Sequence, residues 1–314
     1  MRAIIHLKNI HKAFGSRRVL DGLTLSIAEG EVYGLLGVNG SGKTTTINIL
    51  CSMLPADGGE VAVAGKPVSG ETKQIIGVAP QENEVYPNLT VRENLDFFAR
   101  IYGLSRQQRN QRIQALVDQF SFGEYADTVV SELSGGWQRR LNIAIALVHS
   151  PKILILDEPT VGLDVESRYS LWELIRSLKS FGVTILLTTH YLEEAEHLCS
   201  RIGIMAGGRI VGEGTLSELI ALIPAAELAV VESPEEDAVV TRAGELGWQH
   251  RYYGGKLTLW LPEHYQLKEV IRFLDGLPVT AISLQPVRLE HVFGEVVKES
   301  NTNINIELDQ EDAQ

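Results

Sequence analysis

Gly37-Val-Asn-Gly40-Ser-Gly42-Lys43-Thr44 is the stretch on which the reading of the fold turns. Its spacing is G-x-x-x-x-G-K-[ST], and each fixed residue has a physical reason. Glycines let the backbone fold tightly around phosphates, with its N–H groups pointing inward. A helix that starts there adds a favourable field for an anion. Lys43 supplies a point charge at the β and γ phosphates of a nucleotide, and the Thr44 hydroxyl can ligate Mg2+. Gly37, Asn39, Gly40, Ser41, Gly42, Lys43, Thr44 and Thr45 are therefore the candidate phosphate-binding residues.

The neighbourhood suits this reading. Residues 4–7, 19–27 and 32–36 are strand-like before the loop, and residues 45–54 read as a helix after it. Residues 59–63 and 75–79 are further short strands. Apolar residues then recur at three-four spacing through 91–102 and 105–120, a helical character that 141–148 continues. Strands return at 153–156, 183–188, 202–205 and 209–211, with a helix over 167–181 between the first two. This alternation predicts an α/β fold with a mainly parallel sheet and a helical insertion at about 85–150.

Ile153-Leu-Ile-Leu-Asp157-Glu158 is four aliphatics ending in two carboxylates. Four apolar residues in a row suit a strand buried on both faces. Asp157 at its carboxyl end is placed to hold Mg2+, and Glu158 to polarise an attacking water.

Pro224 marks an expected boundary, giving one domain over 1–222 and a second over 223–299. The second reads strand 228–232, helix 235–246, strand 248–253, a Gly254-Gly255 turn, strand 256–261, helix 267–277 and strand 279–285. That βαββαβ order predicts a small α+β, ferredoxin-like domain, closed by a helix over 288–297. Residues 300–314 hold four acids, no bases and no aromatics, which predicts a disordered acidic tail.

Bulk properties narrow the function classes. The 314 residues carry a net charge of −12, and residues 216–314 alone hold 17 acidic against seven basic side chains. An acidic chain without a basic stripe argues against nucleic acid as a partner. No run approaches the ~18 apolar residues of a membrane span. Charges break the first residues too early for a signal peptide, so the expected location is the cytosol. Cys51 and Cys199 are far apart and have neither metal nor redox spacing.

Together these motifs resemble the nucleotide-binding subunits of ABC transporters. Leu133-Ser134-Gly135-Gly136-Trp137 resembles the LSGGQ signature and lies 20 residues before Ile153, where the family keeps it. Gln81 in Ala79-Pro80-Gln81 matches the Q-loop, Gly162-Leu163-Asp164 the D-loop, and His190 in Thr188-Thr189-His190 the switch histidine. Phe14 sits where the family stacks an aromatic on adenine. The resemblance covers about residues 4–215 and implies the P-loop NTPase cassette fold of that family, with an antiparallel β subdomain beside the mainly parallel sheet. It implies a head-to-tail dimer with two ATP molecules, each touching the phosphate loop of one protomer and the signature of the other. Ser134, Gly135 and Gly136 would meet the γ-phosphate of the partner's ATP. Glu158 would be the base, His190 would position phosphate and water, Gln81 would sense Mg2+, and Asp164 would signal across the dimer.

Two departures stand out: Trp137 replaces the usual glutamine and Val38 a common proline. Arg139 and Arg140 are read as solvent-facing or helix-supporting, without chemistry. The segments 188–196 and 288–293 resemble the type-2 exporter branch, whose permease is a separate membrane-spanning chain. In the family, the coupling helix of that permease docks after Gln81. Val85, Tyr86 and Leu89 either form part of that groove or pack under the helical insertion. One complete site per chain favours a homodimer, with a homologous ATPase subunit as the alternative. The expected seat is therefore peripheral, on the cytoplasmic face of the membrane. A soluble ABC ATPase acting on nucleic acid or ribosomes is the rival reading. It lacks support from zinc cysteines, coiled coils or a second cassette.

Overall fold

Alternating buried and exposed side chains build the first two strands, β1 (Ala3–Phe14) and β2 (Arg17–Ala28), which pair antiparallel. Such alternation suits a sheet with one face on the core and one in water. The computed structural model describes residues 3–179 and 182–298. These form two compact units, 3–215 and 216–298. β1 is longer than the sequence suggests and carries Phe14 as its last residue.

β3 (Val32–Leu36) leads into helix α1 (Lys43–Leu50). β4 (Gly58–Val63) and β5 (Lys66–Pro67) join the first sheet in the order β2-β1-β4-β5. β6 (Ile76–Ala79) is followed by the helical insertion: α2 (Val91–Ile101), α3 (Arg106–Gln119) and α4 (Gly135–Ala146). Capping boxes start two of these helices, Thr90 with Glu93 and Ser105 with Gln108. α4 begins at Gly135, two residues before the helix start expected at Trp137. The glycine pair is therefore its first turn, although glycine is a weak helix former. Phe120 and Phe122 are fully buried and stack at 5.9 Å in the insertion's core.

The remaining elements of this unit are β7 (Ile153–Asp157), α5 (Val165–Lys179), β8 (Thr184–Thr189), α6 (Leu192–Leu198), β9 (Arg201–Ala206) and β10 (Arg209–Gly214). The second sheet runs β10-β9-β3-β8-β7-β6 and is parallel except for β10. Every residue of β3, β7 and β8 is buried, as expected for central strands covered on both faces. Gly77 in β6 lets the end of α4 approach closely, because a Cβ there would lie 2.0 Å from the Ala146 carbonyl oxygen. The expected α/β cassette, with its antiparallel subdomain and helical insertion, is what this unit forms.

The second unit opens with the short α7 (Leu216–Ile220). Then come β11 (Glu227–Glu232), α8 (Glu236–Glu245), β12 (Gln249–Tyr253), β13 (Lys256–Leu261), α9 (Leu267–Phe273) and β14 (Ala281–Gln285). Its sheet is wholly antiparallel in the order β12-β13-β11-β14, with the first strand between the third and fourth, which is the ferredoxin-like arrangement. α9 stops four residues before the expected 277, where Gly276 takes a φ of 85° and Pro278 follows. Residues 289–298 are helical, with Leu289, His291 and Val292 buried. The expected tail at 300–314 lies outside the described residues.

Candidate active site

Neighbouring parallel strands end at one edge of the sheet, and their carboxyl ends gather residues that are far apart in sequence. β6 leads to Gln81, β7 ends in Asp157 before Glu158, β8 leads to His190, and β3 opens into the glycine loop. The sheet order β3-β8-β7-β6 places these four strand ends side by side.

Gly42 shows why the loop needs glycine. Its φ is 111°, and a Cβ there would lie 2.7 Å from Leu20 Cδ2 and 2.8 Å from Met205 Cε. Lys43 is buried. Its ammonium donates to the carbonyls of Gly37 at 2.8 Å and Val38 at 3.2 Å, and lies 3.2 Å from Glu158 Oε1. Among the described residues the buried Ser41 hydroxyl has no hydrogen-bond partner. A buried polar atom left unpaired is costly, and in a glycine loop of this spacing it fits a phosphate oxygen.

Glu158 is the hub. Its φ of 46° is left-handed, which is uncommon for any residue but glycine. Its own N–H donates to the Thr188 carbonyl at 3.1 Å and hydroxyl at 3.2 Å, which fixes that turn. Its carboxylate then meets Lys43, accepts from Gln81 Nε2 at 3.5 Å, and lies 3.1 Å from His190 Nδ1. The histidine contact is close but not aligned as a hydrogen bond, so among the described residues His190 Nδ1 has no hydrogen-bond partner. Asp157 Oδ1 accepts from the Thr188 hydroxyl, and Asp157 Oδ2 from the Thr44 hydroxyl at 3.4 Å. Thr44 and Asp157 thus offer adjacent hard oxygens. Mg2+ favours such donors, completing its shell with phosphates and water rather than with a protein cage.

Ser134 is the N-cap of α4, and its side chain makes no capping bond. Gly135 is exposed and Gly136 half-buried. Among the described residues no hydrogen bond or ion pair joins Ser134, Gly135 or Gly136 to Lys43, Glu158 or His190. Gly136 instead abuts α5, where a Cβ would lie 2.8 Å from Ser167 Oγ. Asp164 caps that helix, accepting from the Ser167 N–H at 2.8 Å and hydroxyl at 2.7 Å. Bonds from the Ser167 N–H and hydroxyl hold the Asp164 carboxyl below its ordinary value. Phe14 is 51 % exposed, and Lys12 Nζ sits 5.7 Å from its ring centroid. An exposed aromatic ring at a strand end is free to stack on a flat ligand.

Sequence reasoning missed several residues. Arg139 was expected to face solvent or support the helix, but it is 3 % exposed and binds the chain around Glu158. The signal was present, since α4 buries Asn142, Ile143 and Ala146, three, four and seven residues after Arg139. Arg140 also has partners: the Phe120 carbonyl, the carbonyl and hydroxyl of Ser170, and the Trp137 ring at 5.0 Å. Trp137 turns into the insertion, 4.5 Å from the Tyr125 ring and 5.9 Å from Phe122. Glu194 is fully buried and accepts from the Thr160 hydroxyl at 2.8 Å and Trp172 Nε1 at 3.1 Å. It ties the approach to Asp164 to α5 and α6. Burial raises its carboxyl pKa.

Tyr86 and Phe97 remain partly exposed and meet edge to face at 4.7 Å. Val85 packs against the insertion's core instead. Leu89 lines a cavity of about 700 Å³ together with Arg92, Asp96, Phe97, Arg109 and Ile113.

The ABC transporter family matches residues 20–161. The Nod factor export ATP-binding protein I of Burkholderia lata is 37% identical over 294 residues, covering 93% of this chain and 96% of that protein. The linearmycin resistance ATP-binding protein of Bacillus subtilis is 41% identical over 219 residues, covering 69% of this chain and 70% of that one. A solved dimeric ATP-binding cassette in a post-hydrolysis state, bound to ADP and Pi, is 27% identical with a TM-score of 0.60. It covers 67% of this chain and 98% of that one.

Proposed function

The chain belongs to the ABC transporter family as an ATP-binding, ATP-hydrolysing subunit, and we propose that it drives export through a separate membrane-spanning permease. The observation that carries the reading is a half-complete site. Lys43, Gln81, Glu158 and His190 converge within the chain, while the signature at the start of α4 makes no bond to that group. A second subunit would supply the signature, most simply another copy of this chain or a homologous ATPase.

Each residue then has a task. The loop from Gly37 to Thr45 cradles the phosphates of ATP, and Phe14 stacks on the base. Lys43 leaves Glu158 to meet the β and γ phosphates. Glu158 accepts a proton from the attacking water, held by His190. Thr44, Asp157 and Gln81 would hold Mg2+, which supplies charge neutralisation when bound. The partner's Ser134, Gly135 and Gly136 face the γ-phosphate at a helix N-terminus, where an anion is stabilised. Asp164, through its cap on α5, links the two protomers.

The unit 3–215 holds this chemistry; the unit 216–298 has no catalytic pattern and would be an accessory domain. The exposed Tyr86 and the cavity beside Leu89 would seat the permease's coupling helix in this reading. Export, rather than import, is supported by the names of the relatives. No helix among the described residues is long and apolar enough to cross a membrane, so the permease would hold the subunit at the cytoplasmic face.

The test is a mild-detergent pull-down of the tagged chain from its native cells, with mass spectrometry of what accompanies it. A polytopic membrane protein in about equal amount supports the proposal. Ribosomal or DNA-repair proteins without any membrane chain would sink it and revive the rival reading.

A further inference from the structure

Arg139 is a buried cation with no carboxylate within ion-pair distance in the described structure. Its guanidinium instead spans four oxygens. Nε donates to the Pro159 carbonyl at 2.8 Å and Nη2 to the Glu158 carbonyl at 3.2 Å. Nη1 donates to the Pro80 carbonyl at 2.8 Å and to Asn83 Oδ1 at 3.2 Å. Asn142, on the same face of α4, donates to the Pro80 carbonyl as well, at 3.1 Å. Burying a cation among carbonyls is expensive, and a neutral side chain could fill the space at lower cost. What the charge holds is specific: the two carbonyls from Glu158 onward, where the chain is left-handed, and the carbonyl immediately before Gln81. Only a planar fork with several donors can reach both segments at once.

We propose that Arg139 is a positioning residue for the hydrolytic step, locking the left-handed turn of Glu158 and the root of Gln81 to the helix that begins with the signature. The carboxylate of Glu158 reaches the water-activating position only while α4 is seated against both segments. The engagement of Ser134–Gly136 by a partner's nucleotide is therefore transmitted within the same chain to Glu158 and Gln81. This rests on Glu158 being the base.

The test compares Arg139→Ala, Arg139→Lys and Glu158→Gln in the full chain. Readouts are kcat and KM for Mg-ATP, the Kd of a fluorescent ATP analogue, and the melting temperature. Misplacing a catalytic group by about 1 Å costs roughly 100-fold in rate. Arg139→Ala should therefore lose about 100-fold in kcat while KM and Kd stay within about threefold. Millimolar guanidinium should restore at least about tenfold of that loss in Arg139→Ala and none in Glu158→Gln. Arg139→Lys, with one compact donor group, should be folded and still strongly impaired in kcat. If Arg139→Ala does not fold, the lysine variant decides: kcat within threefold of the parent overturns the proposal. So does a kcat that falls only in step with Kd and melting temperature, or that guanidinium leaves unchanged. If Glu158→Gln itself turns over normally, the assignment of the base has failed, whatever Arg139 does.

Discussion

With Glu158 as the proposed base, Glu158→Gln should separate binding from chemistry at this site, and the structure sets the size of both effects. The amide has nearly the shape of the carboxylate. The backbone bonds that hold the turn, from the Glu158 N–H to Thr188 and from Arg139 to the Glu158 carbonyl, are untouched. Loss of a general base removes about 10²- to 10⁴-fold in rate, or roughly 3–5 kcal/mol of barrier. Binding should move the other way. Glu158 Oε1 lies 3.2 Å from Lys43 Nζ, a gross attraction of about 5 kcal/mol at an effective dielectric constant of about 20. In the proposed site ATP would have to displace that internal anion before Lys43 could meet its phosphates. Most of the attraction is offset by desolvation of the pair, so the expected gain in ATP affinity is at most about tenfold, or about 1.4 kcal/mol. Phosphate release at saturating Mg-ATP measures the first effect, and titration with a fluorescent ATP analogue the second. If the proposed head-to-tail arrangement holds, an ATP-dependent dimer should also accumulate in size-exclusion chromatography, because the bridging ATP is no longer cleaved. Turnover within threefold of the parent would refute the reasoning. So would a lower melting temperature accompanied by weaker ATP binding, which would make Glu158 a structural residue.

Other perturbations follow from single contacts. Gly77→Ala puts a Cβ 2.0 Å from the Ala146 carbonyl oxygen and should cost about 1–3 kcal/mol, read as a lower melting temperature. Trp137→Gln removes the ring that packs on Tyr125 and Phe122, so stability should fall by about 1–2 kcal/mol while ATP turnover stays within a few-fold. Collapse of turnover with an unchanged melting temperature would instead place the Trp137 side chain at the nucleotide. Burial raises the Asp21 carboxyl, but Arg209 and Arg18 outweigh it and hold the pKa below the ordinary 3.8. A depressed folded pKa contributes stability above the unfolded value and loses it as pH falls through the folded one. Asp21→Asn should therefore melt below the parent at neutral pH. The two melting curves should converge once pH falls below the folded pKa.

Much of the candidate site was legible because its motifs are local. The Gly37–Thr44 spacing reports a loop that must wrap closely at Gly42, whatever else the chain does. The run 153–158 reports a strand buried on both faces with carboxylates at its end. Both depend on neighbours in sequence. Arg139 was not legible in the same way, because its partners are 59 and 20 residues away, at Pro80 and Pro159. A charged residue on the buried stripe of α4 was a hint, but its meaning depends on which strand ends lie beneath the helix. Trp137 posed a similar problem. The sequence marks the departure from glutamine, and only the packing of Tyr125 and Phe122 shows which way the ring turns.

The sequence by itself determined the family resemblance, the α/β alternation, the phosphate loop and the identity of the residues that could do the chemistry. All of these rest on short-range rules: φ preferences, hydrophobic periodicity and the chemistry of a contiguous motif. The tertiary structure decided which of those residues meet. The order β3-β8-β7-β6 differs from the order of the strands along the chain, and it alone sets Lys43, Glu158, Gln81 and His190 around one point. It also turned Glu158 into a left-handed conformation and buried Arg139 beneath it. The turn is held from Thr188 on the neighbouring strand β8, and Arg139 is buried by how α4 packs against β6, so both are properties of the whole fold rather than of any one segment.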